Sequence, residues 1–302
     1  MRIAYAYRRS NLYPYQGKAT SFPDGEARTR FLRSVSDIGF DGLELSLDAL
    51  GGLNATKHQM TELRKELEDH GTPCAVVKGG GGLHHYKIAE ENRAKLEKAV
   101  EIATWIGAET VNTGVGGYTD PRFGSERGGL VSQGSSEQAT EEDFVRAAKG
   151  LREFGEMAGA NGVNVTIEVH QHSIADNSSS ALHILDLADS PHVFANPDLG
   201  NILWTYETPD ETSEEAILAL APRSKYWHCK NLRRVHVPEL EHSYFVRVPL
   251  SDGDIDYRFA ISAMVDAGFD GYLAIEGATD GDQLYSDRRS FEYIKSVLAE
   301  IE

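Results

Sequence analysis

Three observations predict an α/β fold of the (β/α)8 TIM-barrel class. Short β-branched runs alternate with longer amphipathic stretches along the chain, the alternation repeats eight times in 302 residues, and no GxGxxG follows the first run. The first two call for parallel strands joined by crossover helices, at about 38 residues per unit, a usual size for an α/β barrel. The third removes the usual reason for an open doubly wound sheet. One domain over residues 1–302 then accounts for a length that could otherwise hold two.

The elements follow in order. Arg2–Tyr7 is the first strand, and Gly25–Ile38 has apolar residues at helical spacing before Gly39 ends it. Gly42–Ser46 is the second strand, followed by a helix over Thr56–His70 that Thr56 caps and Gly71 closes. Pro73–Lys78 is the third, leading through glycines 79–82 to a helix over Ala89–Ile106 that stops at Gly107. Glu109–Thr113 is the fourth strand. Behind it lies a polar stretch, Gly114–Thr140, with seven glycines, whose length marks it as a rim loop and candidate lid.

Glu141–Ala160 is helical, Asn164–His170 the fifth strand and Ser178–Ala188 its helix. His192–Asp198 is the sixth strand, with helical segments near Asn201–Trp204 and Thr212–Leu220. Ser224–Cys229 is the seventh, and a second long rim loop, Lys230–Asp254, precedes a helix over Asp256–Ala267. Gly271–Glu276 is the eighth strand and Leu284–Ile301 the terminal helix.

Composition narrows the function. The balance of 30 basic against 47 acidic residues, a net charge of −17, would repel a polyanion, so no nucleic-acid partner is expected. No 18-residue apolar window exists and charge interrupts the first nine residues, so neither a membrane nor a signal peptide is expected and the reading is cytoplasmic. Cys74 and Cys229, far apart and without CxxC spacing, read as packing residues.

In a barrel of this class, reacting groups sit at the C-terminal ends of strands. Strand five ends with Glu168, six with Asp198, seven with His228 and eight with Glu276; spacings of 30, 30 and 48 residues place one on each unit. Carboxylates crowded at one rim repel and lose hydration, a costly arrangement unless a cation sits among them. Three oxygens and one imidazole nitrogen suit one divalent ion: Mn²⁺ is the expected occupant, with Mg²⁺, Co²⁺ or Zn²⁺ as alternatives.

Neighbouring residues extend the candidate site. His170 is two residues beyond Glu168, so strand alternation aims it the same way as an additional base or substrate contact. Lys230 stands in the same relation to His228 and could meet an anionic or hydroxyl group, although a solvated loop lysine is the commoner outcome. Glu44 ends strand two, as a partner for a sugar hydroxyl or for an arginine. His84 and His85 lie in a binding-loop position after strand three, and Trp204 and Tyr206 could wall a pocket. Asp254 or Asp256 caps the following helix, with substrate contact by Asp254 as the other role.

These residues carry a resemblance. Ile38–Leu45 (IGFDGLEL), Ile167–His170 (IEVH), Asn196–Asn201 (NPDLGN), His228–Asn231 (HCKN), Pro249–Asp256 (PLSDGDID) and Phe269–Glu276 (FDGYLAIE) are similar to the sugar phosphate isomerase/epimerase superfamily, the xylose isomerase-like TIM barrels. Carried over position by position, the resemblance puts the metal ligands at Glu168, Asp198, His228 and Glu276, with Glu168 and Glu276 exchanging a proton beside a substrate carbonyl. Asn201 stands where several members carry His, which implies a different polar contact to substrate.

The resemblance implies a metal-dependent isomerase or epimerase acting on a carbohydrate: a sugar, keto-sugar or polyol derivative. The alternative within the superfamily is a lyase or dehydratase, in which β-elimination from an inosose or 3-keto-glycoside follows the same proton abstraction. Members also form homo-oligomers, and some lyases need a second subunit. An endonuclease IV-like repair enzyme needs a basic DNA-facing rim, which the charge disfavours, and a non-catalytic sugar-binding subunit sits poorly with a full ligand set.

Overall fold

The structure is a computed structural model that describes residues 1–8, 22–84, 89–116, 135–171, 173–204, 209–240, 242–277 and 282–301. Its strands are β1 (Arg2–Ala6), β2 (Gly42–Ser46), β3 (Cys74–Lys78), β4 (Thr110–Gly114), β5 (Asn164–Glu168), β6 (Val193–Asn196), β7 (Tyr226–Cys229), β8 (Asn231–Val237), β9 (His242–Val248) and β10 (Tyr272–Ile275). The helices are α1 (Gly25–Ile38), α2 (Lys57–Asp69), α3 (Ala89–Ile106), α4 (Ser135–Gln138), α5 (Glu141–Gly159), α6 (Ser178–Ala188), α7 (Leu199–Leu203), α8 (Ser213–Leu220), α9 (Tyr257–Asp266) and α10 (Gln283–Ile301).

Eight strands form one parallel sheet in the order β6-β5-β4-β3-β2-β1-β10-β7. The ends of this order, β6 and β7, meet through a single parallel bridge, Ala195 to Ser224, so the barrel is nearly closed. At that seam a side chain replaces part of the ladder: His228 N donates to Asn196 Oδ1 at 2.7 Å. Asp198 and His228 flank the seam, so the barrel's least regular join lies at the candidate site.

Local chemistry sets the helix limits. Thr56 and Thr140 form capping boxes with Gln59 and Asp143, satisfying amide donors that the first turn leaves open. Gly39 ends α1 at φ 106°, a left-handed conformation costly for a residue with a Cβ, and the Phe291 ring would lie 3.2 Å from that atom. Between strands and helices runs a continuous apolar layer that includes Leu32, Leu43, Leu67, Ile102, Ile167 and Trp227. Cys74 and Cys229 are buried free thiols, as expected of packing residues. No helix among the described residues is long and apolar enough to cross a membrane.

Two expectations change. The stretch Lys230–Asp254, read as a loop, contains an antiparallel hairpin in which β8 and β9 pair from Asn231–Val248 to Val237–His242. It is held at its base by Asp254, whose Oδ2 accepts from Arg234 N at 2.8 Å. The cap of α9 is therefore Asp256, whose Oδ1 accepts from Phe259 N at 3.0 Å. Of the stretch Gly114–Thr140, residues 117–134 lie outside the described residues, and Ser135–Gln138 form α4.

Candidate metal centre

The strand ends bring the four expected ligands together. Glu168 closes β5, Asp198 follows β6 as the N-cap of α7, His228 lies in β7 and Glu276 follows β10. Each offers one ligand atom, these atoms lie within 4.8 Å of one another, and all four residues are buried. A polar floor supports the cluster. Asn112 Nδ2 donates to Glu168 Oε2 at 3.3 Å, while Thr166 Oγ1 and Asn196 Nδ2 donate to Asn112 Oδ1 at 3.0 and 3.1 Å.

The imidazole is oriented by Glu44. His228 Nε2 donates to Glu44 Oε2 at 2.7 Å, an acceptor that also receives Tyr226 Oη at 2.7 Å. An ionised carboxylate only accepts, so this bond fixes a proton on Nε2, and in the neutral ring the lone pair is at Nδ1. Nδ1 is buried with no hydrogen-bond partner, 3.4 Å from Glu168 Oε1 and 3.9 Å from Asp198 Oδ2. Asp198 Oδ2 likewise has no hydrogen bond, although Lys230 Nζ lies 2.9 Å away. A buried imidazole nitrogen without a hydrogen bond, set among crowded carboxylates, fits a divalent cation, and a ligand histidine held by a carboxylate on its other nitrogen is the usual supporting arrangement.

Three cations interleave with the carboxylates, and two of them, Arg8 and Lys78, were not singled out in the sequence. Arg8 bridges two of them, Nη1 donating to Glu44 Oε1 at 2.6 Å and Nε to Glu276 Oε1 at 2.9 Å. Lys78 Nζ is 3.0 Å from Glu168 Oε2. Lys230 Nζ donates to Glu276 Oε2 at 3.1 Å. Lys78 ends an apolar strand, the signal that marked Glu168, and Arg8 follows the end of β1.

These charges set the protonation states. Burial favours neutral carboxyls, yet Lys78 and His228 hold Glu168 well below the ordinary range, as Lys230 and Arg8 do for Glu276 and His228 and Arg8 for Glu44. For Asp198 burial wins and its pKa rises, Lys230 opposing. Burial lowers the His228 pKa, but Glu44 and Glu168 outweigh it and lift it to about 9. A cation at Nδ1 and a proton at Nδ1 exclude each other.

The other expected residues are distributed as follows. Asn201 is buried and joins the cluster, Nδ2 donating to Glu168 Oε1 at 3.2 Å and to Val169 O at 3.0 Å. Lys230, with solvation as its commoner reading, is instead 3% exposed and built into the centre. Glu44 spends both oxygens on Arg8, Tyr226 and His228, which is the arginine-partner role. Trp204 stands over Lys230, Nζ 5.9 Å from the ring centroid. His170 lies just past β5, with Nδ1 2.6 Å from Gln171 O. His84 is buried, its carbonyl accepting from Arg146 Nε at 3.1 Å. Asp254 belongs to the hairpin base, and His85 and Tyr206 lie outside the described residues.

A nearly closed eight-stranded parallel barrel with a buried carboxylate–imidazole cluster at its C-terminal rim, one whose atoms could hold a cation, defines the class as an α/β barrel with its site at the strand ends. Within that class, the chain belongs to the xylose isomerase-like TIM barrel family, whose model matches residues 32–297. It is 23% identical over 267 residues to L-ribulose-5-phosphate 3-epimerase UlaE of Salmonella paratyphi A, covering 85% of this chain and 84% of that one. It is 26% identical over 150 residues to the inosose dehydratase of Clostridium perfringens, covering 46% and 49%. A xylose isomerase-like TIM barrel protein from Mycobacterium smegmatis, solved in complex with magnesium, superposes with a TM-score of 0.80 at 23% identity, covering 99% and 97%. The relatives are thus a sugar epimerase and a dehydratase.

Proposed function

We propose that this protein is a divalent-metal-dependent isomerase or epimerase of a sugar, keto-sugar or polyol derivative, with residues 1–302 forming one catalytic domain. The observation that carries the reading is the open Nδ1 of His228, fixed by Glu44 and facing the oxygens of Glu168 and Asp198. Glu168, Asp198, His228 and Glu276 would hold the ion, Mn²⁺ in our reading. Once bound, the ion supplies Lewis acidity to a carbonyl and a neighbouring hydroxyl oxygen.

The acid–base work falls to Glu168 and Glu276. They rise from β5 and β10, which are not neighbours in the sheet, so they approach the centre from different sides of the barrel. Lys78 beside one and Arg8 and Lys230 beside the other keep both ionised at neutral pH, as proton abstraction requires. One ionised carboxylate takes the proton from the carbon beside the carbonyl, and the other, after taking up a proton from solvent, delivers it to the opposite face. Asn201 keeps Glu168 oriented, and His170 is a further substrate or proton contact.

The inosose dehydratase relative favours a second reading, in which the same abstraction ends in β-elimination. Incubation with ketoses and keto-glycosides in D₂O separates the two. Deuterium at the carbon beside the carbonyl with an intact skeleton supports the isomerase; a released water or aglycone supports the lyase; no exchange with any substrate in the Mn²⁺-loaded protein contradicts both.

A further inference from the structure

The hairpin β8–β9 is basic within an acidic chain. It carries Arg233, Arg234 and Arg247 against Glu239 and Glu241, while the protein as a whole has a net charge of −17. Antiparallel register sets Leu232 opposite Arg247 and Arg234 opposite Phe245, so these four share one face. That face packs on Trp204, whose ring centroid is 5.9 Å from that of Phe245 and 5.7 Å from Arg247 Cζ. The same indole lies 5.9 Å from Lys230 Nζ, the ammonium that meets Asp198 and Glu276. Arg247 is therefore one aromatic ring removed from the metal-type centre.

The arginines of the hairpin differ in what they already hold. Arg233 faces Asp254 at 3.6 Å, and Arg234 Nε donates to Ser243 Oγ at 3.4 Å. Among the described residues the Arg247 guanidinium has no carboxylate partner and stacks on Trp204 alone. A stacked guanidinium keeps its edge N–H groups available in a planar fork that matches phosphate or carboxylate oxygens.

We propose that Arg247, held against Trp204, is an anion-binding subsite that selects substrates bearing a phosphate or carboxylate at the end remote from the reacting carbons. This rests on the carbohydrate reading of the centre and adds the charge class of its substrate. The ring between Lys230 and Arg247 sets the offset: the reacting end of a short sugar lies at the carboxylate cluster and its charged end at the hairpin.

The test titrates the full-length Mg²⁺-loaded protein by calorimetry with D-ribulose, D-ribulose 5-phosphate and 5-keto-D-gluconate. Wild type is expected to bind at least one charged ketose about tenfold or more tighter than the neutral one, as charged hydrogen bonds imply. Arg247→Met should collapse that ratio toward one, and Arg247→Lys should retain part of it, with metal content kept in both. A preference for the phosphate or for the carboxylate identifies the anion. An undiminished ratio in Arg247→Met, or neutral binding without preference in wild type, overturns the subsite alone; failure of all three to bind metal-loaded protein overturns the carbohydrate reading and the subsite with it.

Discussion

Glu44 holds His228 by its Nε2 at 2.7 Å, and the other ring nitrogen, Nδ1, has no hydrogen bond in a fully buried setting. This pairing holds the ring in one orientation, with Nδ1 facing Glu168 and Asp198. Replacing Glu44 by Gln removes the charge that fixes the tautomer and leaves Arg8 with Glu276 as its remaining carboxylate. Mn²⁺ affinity measured by calorimetry should fall by about 10–100-fold, the usual cost of losing such a support. Unchanged affinity would remove Glu44 from the positioning role.

Metal binding should be visible as stability. A ligand that binds only the folded chain adds about 2.7 kcal/mol at a concentration 100 times its Kd. The melting temperature should therefore drop on treatment with a chelator and recover on addition of Mn²⁺, and it should respond little in Asp198→Asn. An equal response in that variant would place the ion elsewhere.

The acid–base pair predicts separable losses. Glu168→Gln and Glu276→Gln, assayed at saturating Mn²⁺, should each slow deuterium exchange beside the carbonyl by about 10²–10⁴-fold, the range of general acid–base catalysis. A His170→Gln variant should slow it less. Exchange at the wild-type rate in either glutamate variant would reassign the base.

Gly200 marks how closely α7 meets Lys230. A Cβ there would lie 2.4 Å from Lys230 Cγ, so Gly200→Ala must push the lysine from between Asp198 and Glu276. A loss of about 1–3 kcal/mol is expected in urea denaturation, as for other overpacked sites. Wild-type stability would show that the lysine moves freely.

At the helix that follows the hairpin, Asp256→Ala should cost about 1 kcal/mol through loss of its bond to Phe259 N, read from the urea midpoint, with metal binding retained.

The strand ends were readable because charge at the end of a buried apolar run has few structural explanations: Glu168, Asp198, His228 and Glu276 all met within one cluster. The cations were not, since Arg8 and Lys78 gain meaning only when the barrel brings β1, β3 and β10 together, a long-range fact that no local spacing contains. The hairpin was missed for the opposite reason. HSYFVRV has strand alternation, but its partner NLRRVHV opens beside a catalytic strand end and carries two adjacent arginines, so the period of two was obscured. Asp254 and Asp256 are two residues apart, and only the backbone path decides which caps α9 and which ties the hairpin.

The central claim is one divalent ion held by the four strand-end residues, and its most direct test is metal analysis after equilibrium dialysis against Mn²⁺. One ion per chain in the wild-type protein, reduced to a small fraction in His228→Asn with the fold retained by circular dichroism, is the predicted result. No stoichiometric ion in wild type, or the same stoichiometry in the variant, would contradict it.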